Sequence, residues 1–510
     1  MPGGDMGMQR SRYTWIVPKG VDLVSNLLTQ PFQHIFSLTL SCYIITTFDT
    51  CTFLHLFLRF AVIGPLLGIL ALVLLPVATA GFLLWILLNH FGASNIQPFR
   101  LTTPDEGDGE NSMFSSECPQ RFTFMSANVI CVPEFIVRIN NVRNVYWRMK
   151  EIARRFLKQN RDLNIPNLLN HVQEEKLIQD KLPEVDVMML QEVSDWWANY
   201  SLVSSLTALY PYIIYDVGVH SFGTNCFLMG SGLFLASRYP VLAVNFHPYH
   251  NILHYGHLVS IGVLTAKLDL GTVPGKDGEE LRGVGYVSNT HTQAYQGKKM
   301  VIARQLTELQ EAVRQFISET HNPDKEVIIF SVVGGDFNFD NMSPGDRPTR
   351  IHPLFTEYED PCRECEGEDK HWAVGTEHRQ RQLSHPAVSN PTIFKHILMN
   401  KVERRKFIID ADILEQTSDL MYSSPKIDPA TGELMDVMGG GGRRIDLLLL
   451  RAGDRVRLAS YWFLTTIASL SDHLPVAMMV ERIDEDQCWK EQERRGSDSM
   501  NDDRALQGME

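Results

Sequence analysis

Eight polar side chains scattered along the chain are of the types that handle phosphate esters: Asn128, Glu192, His291, Asp336, Asn338, Asp446, Asp472 and His473. Glu192, Asn128 and Asp472 offer hard oxygen ligands. Hard oxygens suit Mg2+, with Mn2+ as the alternative, whereas zinc would call for more histidine or cysteine. His291 and His473, with carboxylates to work beside, suit proton transfer near neutral pH. Asp336 and Asn338 put a carboxylate and an amide together, a pair able to hold a water and a phosphate oxygen. The reaction that uses all of these parts is phosphoester hydrolysis. A cation neutralises phosphate charge, a base activates water, and fixed donors hold the oxygens of the pentacovalent state.

Each residue needs an element to carry it. Residues 327–333 form an apolar, β-branched run, and Gly334-Gly335 is where that run is expected to leave the sheet. A strand has period two, so Asp336 and Asn338 are predicted to point one way and Phe337 the other. Residues 122–129 alternate as a strand that ends near Asn128, and residues 186–193 form a buried strand with Glu192 at its tip. A strand over 283–289 runs into Thr290-His291. Asp446 stands near the start of a strand over 443–450, and Asp472-His473 leads into the last strand, 476–480. Further strands are expected over 212–216, 232–237, 259–270 and 462–466, with helices over 138–158, 196–210 and 301–316. Strands alternate with helices and also with other strands. That pattern predicts two packed mixed sheets with helices outside, their polar strand ends gathered on one rim. Residues 340–440 are irregular and are expected to form long loops around it.

The organisation expected around this unit is a leader (1–30), hydrophobic membrane segments (31–92), a Gly/Ser/Pro-rich acidic linker (93–120), the catalytic domain (121–482) and a charged, disordered tail (483–510). Residues 61–89 carry no charge, and about 20 apolar residues suffice to cross a bilayer. Pro76 within that run is expected to kink the helix or turn it back. With Pro2 in place of glycine, N-myristoylation is not expected. The 510-residue chain has a formal net charge of −13, which offers no basic face to nucleic acid, so no nucleic-acid partner is expected. The cysteine spacing suggests no disulfide framework, and Cys362 with Cys365 lacks the second pair a structural zinc needs. One stretch is basic, from Arg138 to Lys158. Its Arg148, Arg154, Arg155 and Lys158 are candidate contacts for anionic lipid headgroups.

Taken in order, Asn128, Leu190-Gln191-Glu192, Thr290-His291, Gly335-Asp336-Phe337-Asn338, Arg444-Ile445-Asp446 and Ser471-Asp472-His473 resemble the endonuclease/exonuclease/phosphatase superfamily over about residues 122–482. Residues 215–219, 231–240, 335–341 and 472–478 are similar to the neutral sphingomyelinases that carry an N-terminal hydrophobic region. The short connection between Arg161 and Leu182 resembles the mitochondria-associated type. The resemblance implies an α+β fold, a deoxyribonuclease-like α/β/β/α sandwich of two mixed sheets. It also implies Mg2+-dependent hydrolysis of sphingomyelin to ceramide and phosphocholine at a membrane surface. A phospholipase C acting on another choline phospholipid, or a nuclease or phosphatase on the same fold, is the alternative. In this reading Glu192 is the main metal ligand, with Asn128 and Asp472 near the ion. His473 is the general base, oriented by Asp446, Asp336 positions or deprotonates the water, and Asn338 and His291 hold phosphate oxygens. The resemblance further implies a mitochondrial or endoplasmic-reticulum membrane, with the Golgi or plasma membrane as alternative, while the basic stretch from Arg148 to Lys158 predicts activation by anionic phospholipids such as phosphatidylserine or cardiolipin. Two departures stand out. Ile261 occupies the place of a lysine that relatives pair with an acid, and Thr292 replaces the hydrophobe usual after the Thr-His motif.

Overall fold

The computed structural model describes residues 16–49, 52–92, 99–104, 117–162, 177–218, 229–275, 279–294, 300–415, 423–435, 437 and 439–483. Half of the expected leader and most of the linker and tail therefore lie outside the described residues, as does most of the connection before Leu182. The helices that matter here are α1 (Ile16–Ser41), α2 (Gly64–Gly92), α3 (Glu134–Ile139), α4 (Val145–Asp162), α5 (Trp196–Leu206) and α6 (Val301–Thr320). The longer strands are β1 (Arg121–Asn128), β2 (Val187–Gln191), β3 (Tyr212–Tyr215), β4 (Phe234–Ser237), β5 (Val241–Pro248), β6 (Gly262–Pro274), β7 (Glu280–His291), β8 (Glu326–Asp336), β9 (Asp446–Arg451), β10 (Val456–Leu464) and β11 (Val476–Arg482).

These strands make two mixed sheets. One has the central order β3-β4-β2-β1-β11-β10, and the other runs β9-β8-β7-β6-β5; short two-residue strands extend their edges. Period-two alternation decides which side chains meet where. Phe122, Phe124, Val187, Met189, Val332 and Leu448 point between the sheets into one shared core. Their neighbours Met125, Ala127, Met188 and Leu190 point outward against α4 and α5. On the other sheet Val333, Leu447 and Leu449 point outward against α6. The result is the expected four-layer α/β/β/α sandwich. Phe330 anchors the inter-sheet core, edge-on to Phe122 and Phe124 at 4.9 and 5.0 Å between ring centroids.

The run 327–333 does not leave the sheet at its glycines. β8 continues through Gly334 and Gly335 to Asp336, paired with β7 and β9 throughout. The glycines are there for clearance: a Cβ on Gly335 would lie 1.9 Å from the Thr290 carbonyl oxygen. The edge strand β5 was not anticipated; its half-exposed alternation VLAVNFHP follows a proline and gives a weak signal. The basic stretch is two helices, not one. The break falls between Ile139 and Val145, where Asn141 and Asn144 adopt left-handed backbone at φ 54° and 61°.

At the N-terminus, α1 and α2 lie antiparallel and in close contact. A Cβ on Gly81 would fall 2.7 Å from Leu28 Cβ, and one on Gly64 2.7 Å from the Tyr43 hydroxyl. The Ser25 hydroxyl donates to the Gly81 carbonyl at 2.9 Å. Pro76 neither ends nor reverses α2, which runs helical past it. Phe53–Ile86, with mean hydropathy 2.6, is the single stretch among the described residues long and apolar enough to cross a membrane.

Candidate active site

The site lies at one end of the paired sheets. β1 and β2 are parallel, as are β7 and β8, so Asn128, Glu192, His291 and Asp336 emerge from strand ends of the same sense. β9 and β11 run antiparallel to those neighbours, so their starts meet the same rim with Asp446 and the Asp472-His473 turn. In register, Asp336 sits opposite His291 on one side and Asp446 on the other.

One oxygen is the meeting point. Asp336 Oδ2 accepts from Asn128 Nδ2 at 3.0 Å, and it lies 3.5 Å from His291 Nε2 and 3.8 Å from His473 Nε2. Asn128 Nδ2 also donates to Glu192 Oε1 at 2.9 Å, so one uncharged amide spans two carboxylates. His473 Nδ1 is 2.9 Å from Asp446 Oδ2. That bond assigns the Nδ1 proton and leaves Nε2, facing Asp336, as the basic nitrogen of the neutral ring. Backbone strain accompanies the arrangement. Glu192 and Asn338 both adopt left-handed backbone, at φ 60° and 53°, which costs of order 1 kcal/mol each.

Asn338 reaches the site by a different route from the one its spacing predicts. The strand ends at Asp336, and the chain then turns. The Asn338 N–H donates to Asp336 Oδ1 at 3.0 Å, and its Nδ2 donates to the Thr292 carbonyl at 2.9 Å. Thr292, the departure after His291, donates its hydroxyl to the Phe337 carbonyl at 2.6 Å and so ties the two strand ends together. Ile261, the other departure, is buried with Tyr249, Val263 and Phe337 in the outer core.

The sequence profile of the Endonuclease/Exonuclease/phosphatase family matches residues 159–473. The chain belongs to that family. Family membership accounts for the fold. Among curated relatives, sphingomyelin phosphodiesterase 3 of Mus musculus is 36% identical over 308 residues, covering 58% of this chain and 44% of its own length. Sphingomyelin phosphodiesterase 5 of Danio rerio is 36% identical over 301 residues, 58% of this chain and 52% of that protein. The chain thus spans about half the length of these relatives. The crystal structure of a Staphylococcus aureus beta toxin aligns with 70% of this chain and 99% of its own at 14% identity, with a TM-score of 0.37.

The rim carries Glu192, Asp336, Asp446 and Asp472, and the electrostatics follow from that. Burial raises the Glu192 carboxyl above its usual range; nearby Asp472 adds to the rise, and the charge of His291 opposes it. Burial alone would favour a neutral His473, but Asp446 and Asp336 outweigh it and hold its pKa well above the ordinary histidine value. Glu192, partly open at the rim, shares the neutral amide of Asn128 with Asp336, and Asp472 stands near enough to Glu192 to act on its charge. Such a donor set fits a hard divalent cation. Asp336, Asp446 and His473 also bring ligand atoms within 4.8 Å of one another.

Two groups at the rim escaped the sequence reading. Gln380, in the irregular region, donates through Nε2 to Asp472 Oδ2 at 2.9 Å and to Asn140 Oδ1 at 3.1 Å. Gln191 donates to Asn289 Oδ1 at 2.7 Å and so bridges the two sheets beneath the site. Gln191 stands in the Leu-Gln-Glu motif and could have been singled out there; Gln380 carries no periodic or motif signal. The lipid-contact expectation needs correction at Arg148. It is buried, donating to the carbonyls of Val129, Ile130 and Leu470 at 2.9, 2.6 and 2.6 Å, so it braces the rim from inside. Arg154 and Arg155 pair with Glu151, and Arg155 also donates to the Thr466 carbonyl. Of the four, Arg154 and Lys158 are exposed.

Proposed function

We propose that the chain is a metal-dependent phosphodiesterase that hydrolyses sphingomyelin to ceramide and phosphocholine at a membrane surface. The observation that carries this reading is the convergence of Asn128, His291 and His473 on one Asp336 oxygen, with Glu192 joined through the same amide. The names of the curated relatives support the choice of substrate. The long apolar helix beside the rim-bearing unit supports action on a lipid.

In this mechanism His473 takes the proton of the attacking water at Nε2, while Asp446 fixes the ring and offsets the charge it acquires. Asp336, held by Asn128, orients that water. His291 and Asn338 flank the phosphoryl oxygens and stabilise charge that grows on them in the transition state. A divalent cation, Mg2+ or Mn2+, held by Glu192 with Asn128 and Asp472 beside it, would neutralise phosphate charge and oppose protonation of His473.

The test is an assay of the full chain in detergent on sphingomyelin, phosphatidylcholine and DNA in parallel, with Mg2+ and with chelator. Phosphocholine release from sphingomyelin is expected, lost on chelation. His473→Ala is expected to reduce it about a hundredfold to ten-thousandfold, and Glu192→Gln to raise the Mg2+ concentration required. Cleavage of DNA with no action on sphingomyelin would overturn the reading.

A further inference from the structure

Away from the rim, on the outer side of the six-stranded sheet, two histidines and a glutamate meet. His247 lies near the end of β5, His250 follows just beyond it, and Glu308 projects from α6. His250 Nδ1 is 3.1 Å from Glu308 Oε2, and His247 Nε2 is 3.7 Å from the same oxygen. One ligand atom from each residue lies within 4.8 Å of the other two. We propose that His247, His250 and Glu308 form a second metal site, one that takes Zn2+ rather than Mg2+.

The chemistry of the donors makes that choice. Imidazole nitrogens favour zinc and its neighbours in the divalent series, while Mg2+ is held by oxygen. Two histidines and one carboxylate around a tetrahedral ion leave a fourth position for water. With metal–ligand bonds of about 2.0–2.1 Å, donor atoms around such an ion sit roughly 3.3 Å apart. The observed spacing needs only a modest closure. His250, whose side chain is 71% exposed, is free to supply it by rotation.

The carboxylate is already aimed. Glu308 Oε2 accepts from the His250 backbone N–H at 2.7 Å, and Oε1 accepts from the Asn251 N–H at 3.0 Å and its Nδ2 at 2.6 Å. These are the outer bonds that orient a metal-binding carboxylate. Burial opposes its ionisation, but the hydrogen bonds from His247, His250 and Asn251 prevail and keep its pKa at about 2.

Occupancy would staple the end of β5 to α6 across a turn that serves the catalytic rim. In register, His247 pairs with Val263 and Val263 with Thr290, which places His247 two strands, roughly 10 Å, from the residue before His291. Tyr249, between the two histidines in sequence, shares a hydrogen bond with the Thr290 hydroxyl at 2.6 Å. An ion on this side would fix the turn that braces the His291 strand.

The experiment uses untagged full-length protein in detergent, stripped of metal and kept in excess Mg2+ so that the oxygen-rich rim is not available. Zn2+ is titrated against a chromophoric chelator, and Co2+ is added separately as an optical probe. One Zn2+ equivalent is expected, with affinity reduced about tenfold or more by His250→Ala and by His247→Ala, and unchanged in Glu192→Gln. The visible absorption of tetrahedral Co2+ is expected in the wild type and not in His250→Ala. Because His250 is exposed and lies outside the catalytic set, its variant should keep Mg2+-dependent turnover, which shows that it folds. Zn2+ binding of the same stoichiometry and affinity in wild type and both histidine variants, or none in the wild type, would overturn the proposal.

Discussion

His378 is buried with both ring nitrogens lacking a hydrogen-bond partner, and its ring stacks on Phe394 at 5.4 Å. Its backbone N–H donates to the Asp472 carbonyl at 2.9 Å, so it stands directly behind the rim. Burial, with the charge of His473 adding to it, pushes its pKa from 6.5 down to about 3. The unfolded chain takes up this proton near pH 6.5 and the folded chain only near pH 3. The stability tied to His378 is therefore full above pH 6.5 and is lost as pH falls towards 3. A His378→Phe variant should lose less stability than the wild type between pH 6.5 and about 5. The expected difference is roughly 2 kcal/mol, at about 1.4 kcal/mol per pH unit. Denaturant unfolding at the two pH values measures it, and parallel losses in both proteins would remove His378 as the titrating group.

At the scale of elements, the pairing of β7 with β8 is what brings His291 beside Asp336, and it depends on Gly335. With a Cβ there only 1.9 Å from the Thr290 carbonyl oxygen, Gly335→Ala must push the strands apart at the ends that carry His291 and Asp336. A loss of at least about 3 kcal/mol is expected, with turnover falling further than stability because the geometry at Asp336 shifts. Thermal unfolding and turnover of the same preparation check this, and a variant with wild-type values would show that the seam gives way cheaply. The strands and their polar tips were legible because apolar alternation is a local signal and each tip residue follows its strand directly. The packing partners were less legible. Composition marked Arg148 as one charge in a basic stretch, but the backbone carbonyls that capture it come from β1's end and from a turn near residue 470. Gln380 was invisible for the same reason: Asp472, which it holds, is far away in sequence and its own segment has no period. The turn that carries Asn338 was misread as strand because a left-handed asparagine leaves no periodic trace.

Over the whole molecule, the N-terminal helices and the sandwich are joined by one buried cluster of charge. Asp49, between α1 and α2, accepts from Arg59 at 3.0 Å and from Arg138 of α3, while Arg143 donates to the Phe48 carbonyl at 2.9 Å. Thr47 and Asn141 exchange hydrogen bonds of 2.8 Å across the same junction. Arg138 and Arg143, at the start of the basic stretch, thus face the chain's own loop. Asp49→Ala would leave two largely buried guanidinium groups without their carboxylate, at a cost of roughly 3 kcal/mol. Faster proteolysis between residues 42 and 52 and a lower unfolding temperature are expected; an unchanged cleavage rate would mean that other contacts hold the junction. The seam between α1 and α2 has a consequence of its own. Ser25 and Thr29 of α1 are hidden because Gly81 lets the backbones come within touching distance, and Ser25 spends its hydroxyl on the opposite helix. A segment too polar to enter oil unaided can be carried there by a neighbour that is greasy all round, and hydropathy scored one helix at a time will miss every passenger of this kind.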